Sequence, residues 1–258
     1  MSTLKLVVTG IDDTIDGIRT LTLTHPDGAR LPSFTPGSHI VVECGGSGRR
    51  ANAYSLTGHA IDPAAYVISV LRCAEESGGA GGSRWIHDEL AAGDTVVARP
   101  PRSAFAPVLR ARRHLLVAAG IGITPMVSHL RSARLWGRDA RLLYIHRDGR
   151  DAYVDVVRAL TDHASIHTRR AEFSAELLAS LADQPFGTHL YVCGPALFIE
   201  SVVAAATDLG WPPSRIHLEH FGSGALEPGE AFAVRNASTG EEFTVDSGVS
   251  LLEALESR

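Results

Sequence analysis

Apolar and polar residues alternate with a period near two along the first part of the chain. LKLVVTGI (4–11), IRTLTLTHP (18–26), SHIVVEC (38–44), NAYSLTG (52–58), AYVISVLR (65–72) and GDTVVARPP (93–101) combine that alternation with β-branched residues, and each reads as a strand. PDG at 26–28 is a turn signal. Short strands at this spacing predict an antiparallel barrel or sandwich. One helix interrupts them: SRWIHDELAA (83–92) is apolar at 85, 86, 90 and 91, with Ser83 at the expected cap.

From about residue 112 the period changes. HLLVAAG (114–120) is a short continuous apolar run, the pattern of a strand buried on both faces. A helix ending at Gly137 follows it. Strands RLLYIHR (141–147), SIHTRR (165–170), THLYVCG (188–194) and SRIHLEHF (214–221) then alternate with helices over 151–164, 175–183 and 195–211. Such alternation predicts a parallel sheet with right-handed crossovers. The boundary between the two patterns falls in APVLRARR, 106–113. The tail changes again: GSGALEPGE (222–230) reads as a linker, and the rest as a hairpin around STG followed by a short helix. A segment below about 40 residues rarely buries a core of its own, so the tail is expected to be the opening of a further domain.

The composition narrows the function classes. The 258 residues carry 24 basic and 29 acidic side chains, a net charge of -5, which gives no general attraction to nucleic acid or anionic lipid. No apolar run approaches the roughly 18 residues of a membrane span, and MSTLKLVVTGIDD lacks the apolar core of a secretory signal. Cys44, Cys73 and Cys193 form neither a disulfide framework nor a zinc or iron–sulfur spacing, so a reducing, cytoplasmic setting is expected. The 12 histidines are scattered, and no resident metal site is expected among them.

Four segments carry candidate chemistry. AAGIGITP (118–125) follows a buried strand and opens a helix, the setting in which glycines let the backbone approach a phosphate; a plain turn is the alternative. YVCGPALF (191–198) ends a second parallel strand, and strand ends of this kind line the ligand crevice of open α/β sheets. Taken alone, Cys193 at its tip reads as a buried structural thiol, the commoner fate of a lone cysteine. NAYSLTG sets Tyr54 and Ser55 on one strand. GGAGGSRW (78–85) offers backbone donors and Ser83 at a helix start, or else a flexible loop. Phe34, Phe105 and Phe198 read as core.

PGSHI, NAYSL, GGSRWIHD, AAGIGITPM, YVCGP and HLEHF occur in that order over residues 1–221. Together they resemble the phthalate dioxygenase reductase branch of the ferredoxin-NADP reductase superfamily. The resemblance implies a flavin-binding barrel (1–106), an NAD(P)H-binding α/β domain (107–224), and a linker with the start of a plant-type [2Fe-2S] ferredoxin domain (225–258). It implies FMN as the flavin, with FAD as the alternative. The flavin would be held by Asn52, Ala53, Tyr54, Ser55, Val70, Leu71 and Arg72, with its phosphate at Gly81, Gly82 and Ser83. Asn52 stands where the family has an arginine, and an asparagine cannot grip phosphate bidentately. Arg50, Arg72 and Arg84 are the candidate replacements.

The same resemblance assigns the pyridine nucleotide to Gly120, Gly122, Thr124 and Pro125, its adenosine ribose to Arg147, and the nicotinamide to Cys193, Gly194 and Pro195. Glu219 and Phe221 would close the flavin from the last strand, and Ser55, Cys193 and Glu219 would be catalytic. Asp148 beside Arg147 would repel a 2′-phosphate, which favours NADH over NADPH. The implied activity is electron transfer from NADH to an oxygenase or monooxygenase component, through a [2Fe-2S] cluster in a longer chain. A monomer is expected. The alternatives are a stand-alone FAD-dependent ferredoxin or flavodoxin reductase, and a flavin-binding regulatory subunit without turnover.

Overall fold

In the computed structural model, residues 3–45, 50–73, 81–103, 105–221, 231–236, 239–245 and 251–256 are described. Part of the glycine run (74–80) and the linker (222–230) lie outside them. Contacts divide the chain into two compact units, 1–221 and 222–258.

The first unit begins with strands β1 (Leu4–Ile15), β2 (Ile18–Thr24), β3 (His39–Cys44), β4 (Arg50–Ser55), β5 (Ala65–Leu71) and β6 (Thr95–Arg102). They form a six-stranded antiparallel sheet in the order β4-β3-β6-β1-β2-β5. Alternation builds its core: in β3, Ile40, Val42 and Cys44 are buried while His39, Val41 and Glu43 are partly exposed. The backbone N–H of Thr57, just beyond β4, donates to Val67 O of β5 at 2.9 Å and so joins the two edges into a barrel. Helix α1 (Gly82–Asp88) plugs one end with Ile86. Its cap is not Ser83, as the sequence suggested, but Gly81 in the left-handed region (φ 76°). Ser83 falls inside the first turn, where its hydroxyl accepts from the N–H of Cys73 at 3.2 Å.

Strands β7 (Arg113–Ala119), β8 (Asp139–Ile145), β9 (Ala164–His167), β10 (Thr188–Gly194) and β11 (Ile216–His220) form a parallel sheet in the order β11-β10-β7-β8-β9. Helices α2 (Ile123–Trp136), α3 (Val154–Leu160), α4 (Arg170–Ala182) and α5 (Ala196–Asp208) cover its two faces. Two helices differ from their sequence reading. α3 is confined to 154–160 because a turn through Tyr153 precedes it and Thr161 is already extended. α4 starts at Arg170, five positions before the apolar pattern becomes clear. Gly137 caps α2 in the left-handed conformation, as its position predicted.

Barrel and parallel sheet share a core. Ile18 and Phe105 from the barrel side pack with Leu116, Ile123, Met126, Leu130 and Tyr191, and burying each such side chain contributes roughly 1.5–3 kcal/mol. Polar contacts pin the same seam. His129 Nε2 lies 2.8 Å from Phe105 O, and Arg131 Nε donates to Thr57 O at 2.9 Å. His129 was not singled out by its sequence position. It is wholly buried, and burial holds its imidazole neutral, with a pKa pushed down to about 3.

In the second unit, β12 (Phe232–Arg235) pairs antiparallel with β13 (Glu242–Val245), and α6 (Leu251–Glu256) follows, as the sequence pattern predicted. Among the described residues, no helix is long and apolar enough to cross a membrane.

Candidate functional site

The parallel sheet reverses its build direction at β7: β8 and β9 lie on one side of it, β10 and β11 on the other. Open α/β sheets bind ligands where the strand order reverses, at the carboxyl ends. Both glycine turns of the sequence sit there. Gly120 opens the turn after β7 with φ 54°, and a side chain built on it would meet nothing within 4 Å. Gly122 is the opposite case. A Cβ there would lie 2.4 Å from Cys193 O and 2.6 Å from its carbonyl carbon. A Cβ on Gly194 would lie 3.0 Å from Ala119 Cβ. The tips of β7 and β10 therefore interlock through small residues, with Gly120 facing open space. Thr124 is buried and donates to Ile121 O at 3.0 Å, which ties the turn to the helix start beside buried Pro125. Pro195 caps α5 and is exposed.

Cys193 and Glu219 are register partners on β10 and β11. Burial raises the Cys193 thiol well above its ordinary range, and the neighbouring Glu219 raises it further, so the sulfur stays protonated. The Glu219 carboxyl is pushed up to about 7, also by burial, with the Ser55 hydroxyl drawing it partly back. Ser55 comes from β4 of the barrel, so the three expected catalytic residues meet from different sheets. Ser55 Oγ and Glu219 Oε2 are both buried, close enough for the hydroxyl to bear on the carboxyl but without a well-formed hydrogen bond to any partner. Such atoms are costly to leave unsatisfied, and a polar ligand edge is what their site lacks.

A second group of expected residues meets on the barrel. Gly82 lies against Asn52, because a Cβ there would be 3.0 Å from the Asn52 side chain. Tyr54 Oη is buried without a hydrogen-bond partner, and burial raises its pKa. Val70 is buried and Leu71 half-buried, while Ala53 is exposed. A cavity of about 330 Å³ lies beside α1, lined by Cys44, Gly45, Gly81, Arg84, Trp85, Asp88 and Glu89.

Three further expected residues are committed to an ion pair or exposed. Arg72 is committed to Asp88, at 2.9 Å. Arg147 is exposed, and Phe221 is 38% exposed beyond the last strand. Sequence reasoning missed Tyr153. Its hydroxyl reaches Ser69 Oγ at 2.7 Å and donates to Thr57 Oγ1 at 3.0 Å. Its one visible signal was the break between a strand ending near Arg147 and an apolar helix.

Comparison with known proteins bears on the fold and the family. A family model described as the N-terminal domain of dimethylamine monooxygenase subunit DmmA-like proteins matches residues 94–216. The heme-dependent oxidative N-demethylase beta subunit of Ectopseudomonas mendocina is 38% identical over 88% of this chain and 71% of its own length. The carnitine monooxygenase reductase subunit of Escherichia coli is 35% identical over 98% of this chain and 78% of its own. The solved structure of phthalate dioxygenase reductase, described as a modular structure for electron transfer from pyridine nucleotides to [2Fe-2S], superposes with a TM-score of 0.75 at 30% identity. It covers 99% of this chain and 80% of that one.

Proposed function

This chain belongs to the phthalate dioxygenase reductase-like family of the ferredoxin reductase superfamily, and from that premise we propose that it draws electrons from NADH through a flavin and delivers them to an oxygenase component. The observation that carries the reading is the meeting of Ser55, from the barrel, with Cys193 and Glu219, from the parallel sheet. That meeting sets a polar patch beside the open glycine turn.

The residues fit a flavin. Ser55 Oγ, Glu219 Oε2 and Tyr54 Oη are buried polar atoms with unused hydrogen-bonding capacity, which suits a heteroaromatic ring edge and its polar chain. Asn52, Tyr54 and the Gly81–Ser83 turn would hold its chain and phosphate. FMN is the proposed flavin, because those residues supply one phosphate cradle within the barrel, at the start of α1. When bound, the flavin supplies what side chains lack: it takes two electrons together and gives them up singly.

The chain's own groups orient and tune. Gly120 leaves open space in which the nucleotide backbone would close on the tip of β7, and Gly122 lets that tip pack against the Cys193 backbone. The neutral Cys193 thiol packs where the nicotinamide would lie. Glu219, ionised above about pH 7, offers negative charge where the nicotinamide becomes cationic. NADH rather than NADPH is the proposed donor, because exposed Asp148 adjoins Arg147. The oxygenase partner follows from the relatives, which are named as reductase subunits of monooxygenases and as a dioxygenase reductase. A chain that functions as a monomer completes the proposal.

The test is reconstitution followed by mass analysis of the released chromophore and NADH-driven reduction of a one-electron acceptor. FMN released in one-to-one ratio, with NADH-dependent turnover, is the expected result. FAD in its place would overturn the flavin assignment, and no turnover would overturn the function.

A further inference from the structure

Tyr153 is one of two non-glycine residues with positive φ among the described residues, at φ 64° and ψ 8°. A tyrosine enters this region only at a cost, and it stays there when its surroundings demand it. Here the demand is visible. The residue belongs to the turn between β8 and α3, on the parallel-sheet lobe, but its hydroxyl is spent on the barrel. It lies 2.7 Å from Ser69 Oγ on β5 and donates to Thr57 Oγ1 at 3.0 Å. Ser69 Oγ in turn lies 2.6 Å from Thr20 Oγ1 on β2. Four hydroxyls thus form a line that leaves the barrel at Ser69, passes through Tyr153 in the turn and returns to the barrel at Thr57.

Two barrel members of that line adjoin residues of the proposed site in sequence. Thr57 lies two positions beyond Ser55, and Ser69 directly precedes Val70 and Leu71. Between them, Tyr153 closes the segment that starts at Arg147 and Asp148, the residues assigned to the adenosine half of the nucleotide. A second contact holds this segment to the barrel: Arg150 Nη2 lies 3.7 Å from Asp16 Oδ2, over Gly17 in the β1–β2 turn.

We propose that Tyr153 is a positioning residue for the pyridine nucleotide: the hydroxyl line Thr20–Ser69–Tyr153–Thr57 fixes the adenosine-side turn to the strand that carries Ser55. The two ends of the dinucleotide are then held at a set separation without any closure of the lobes. The inference rests on the proposed NADH-to-flavin reading.

The test compares wild type with Tyr153→Phe, which keeps the ring and removes the hydroxyl, and with Ser69→Ala, which removes a partner and leaves the tyrosine in place. All three are purified with their flavin. Both variants should raise the KM for NADH, by about threefold to tenfold for a lost hydrogen bond. The kcat at saturating NADH and the flavin dissociation constant should stay within about twofold. The double variant should be no worse than Tyr153→Phe alone, since the line acts as one unit. An unchanged KM in both variants would overturn the proposal, as would a fall in kcat with KM unchanged. Should Tyr153→Phe fail to fold, Ser69→Ala decides alone. Failure of the underlying reading looks different: wild type itself would bind no flavin or oxidise no NADH.

Discussion

Cys193 and Glu219 stand side by side on parallel strands β10 and β11, and burial drives both toward their protonated forms. For the thiol this means inertness across the physiological range. For the carboxyl it means a change of charge near pH 7, next to the place where a nicotinamide would become positive.

The rate of NADH-driven reduction should therefore rise as pH passes through about 7, because the carboxylate favours the developing cation. Glu219→Gln should flatten that step and lower the rate at high pH by roughly ten- to a hundredfold. Stability should move the other way. Between the ordinary value of 4.5 and about 7 the folded protein holds a proton that the unfolded chain releases, so stability falls as pH rises through this window. The loss amounts to no more than about 3 kcal/mol and should vanish in Glu219→Gln. Denaturant unfolding across that range measures it.

Gly122→Ala should destabilise by about 1–3 kcal/mol, because the added carbon meets the Cys193 backbone rather than a movable side chain. It should also raise the KM for NADH. Gly120→Ala should cost about 1–2 kcal/mol through its left-handed backbone alone, since its methyl enters open space. Thermal melts of the two variants beside wild type separate the causes.

Ser83→Asp should weaken flavin affinity by about 1–3 kcal/mol, through repulsion of the phosphate by the added carboxylate. Fluorescence titration with FMN and with riboflavin reads the effect. The variant should bind riboflavin nearly as well as wild type does.

Asp148→Ser should improve kcat/KM for NADPH, on the order of fivefold, with little change for NADH. The gain is small because the residue is exposed and its charge is screened. A wild-type preference for NADPH in the same assay would contradict the proposed donor.

Much of the fold was legible because each lobe has its own period. Alternating burial in β3 and the near-continuous apolar run of β7 leave no ambiguity between a half-exposed and a doubly covered sheet. Helix edges were less legible. The start of α1 is set by Gly81 adopting positive φ, not by Ser83, although serine is the better cap on propensity. The site was legible where backbone geometry demands a residue type, as at Gly122. It was not legible where a contact spans a long stretch of sequence. Nothing near Tyr153 announces Ser69 or Thr57, which lie 84 and 96 positions away. Nor does the sequence say that His129 serves the seam by meeting Phe105 O, 24 positions earlier.

The most direct measurement follows the visible flavin band of the reconstituted protein under anaerobic conditions as one equivalent of NADH is added. The band should bleach within the dead time of manual mixing in wild type and more slowly in Glu219→Gln. A wild-type protein that takes up neither FMN nor FAD, or whose bound flavin keeps its colour in NADH, would contradict the assignment of Ser55, Cys193 and Glu219 to an electron-transfer site.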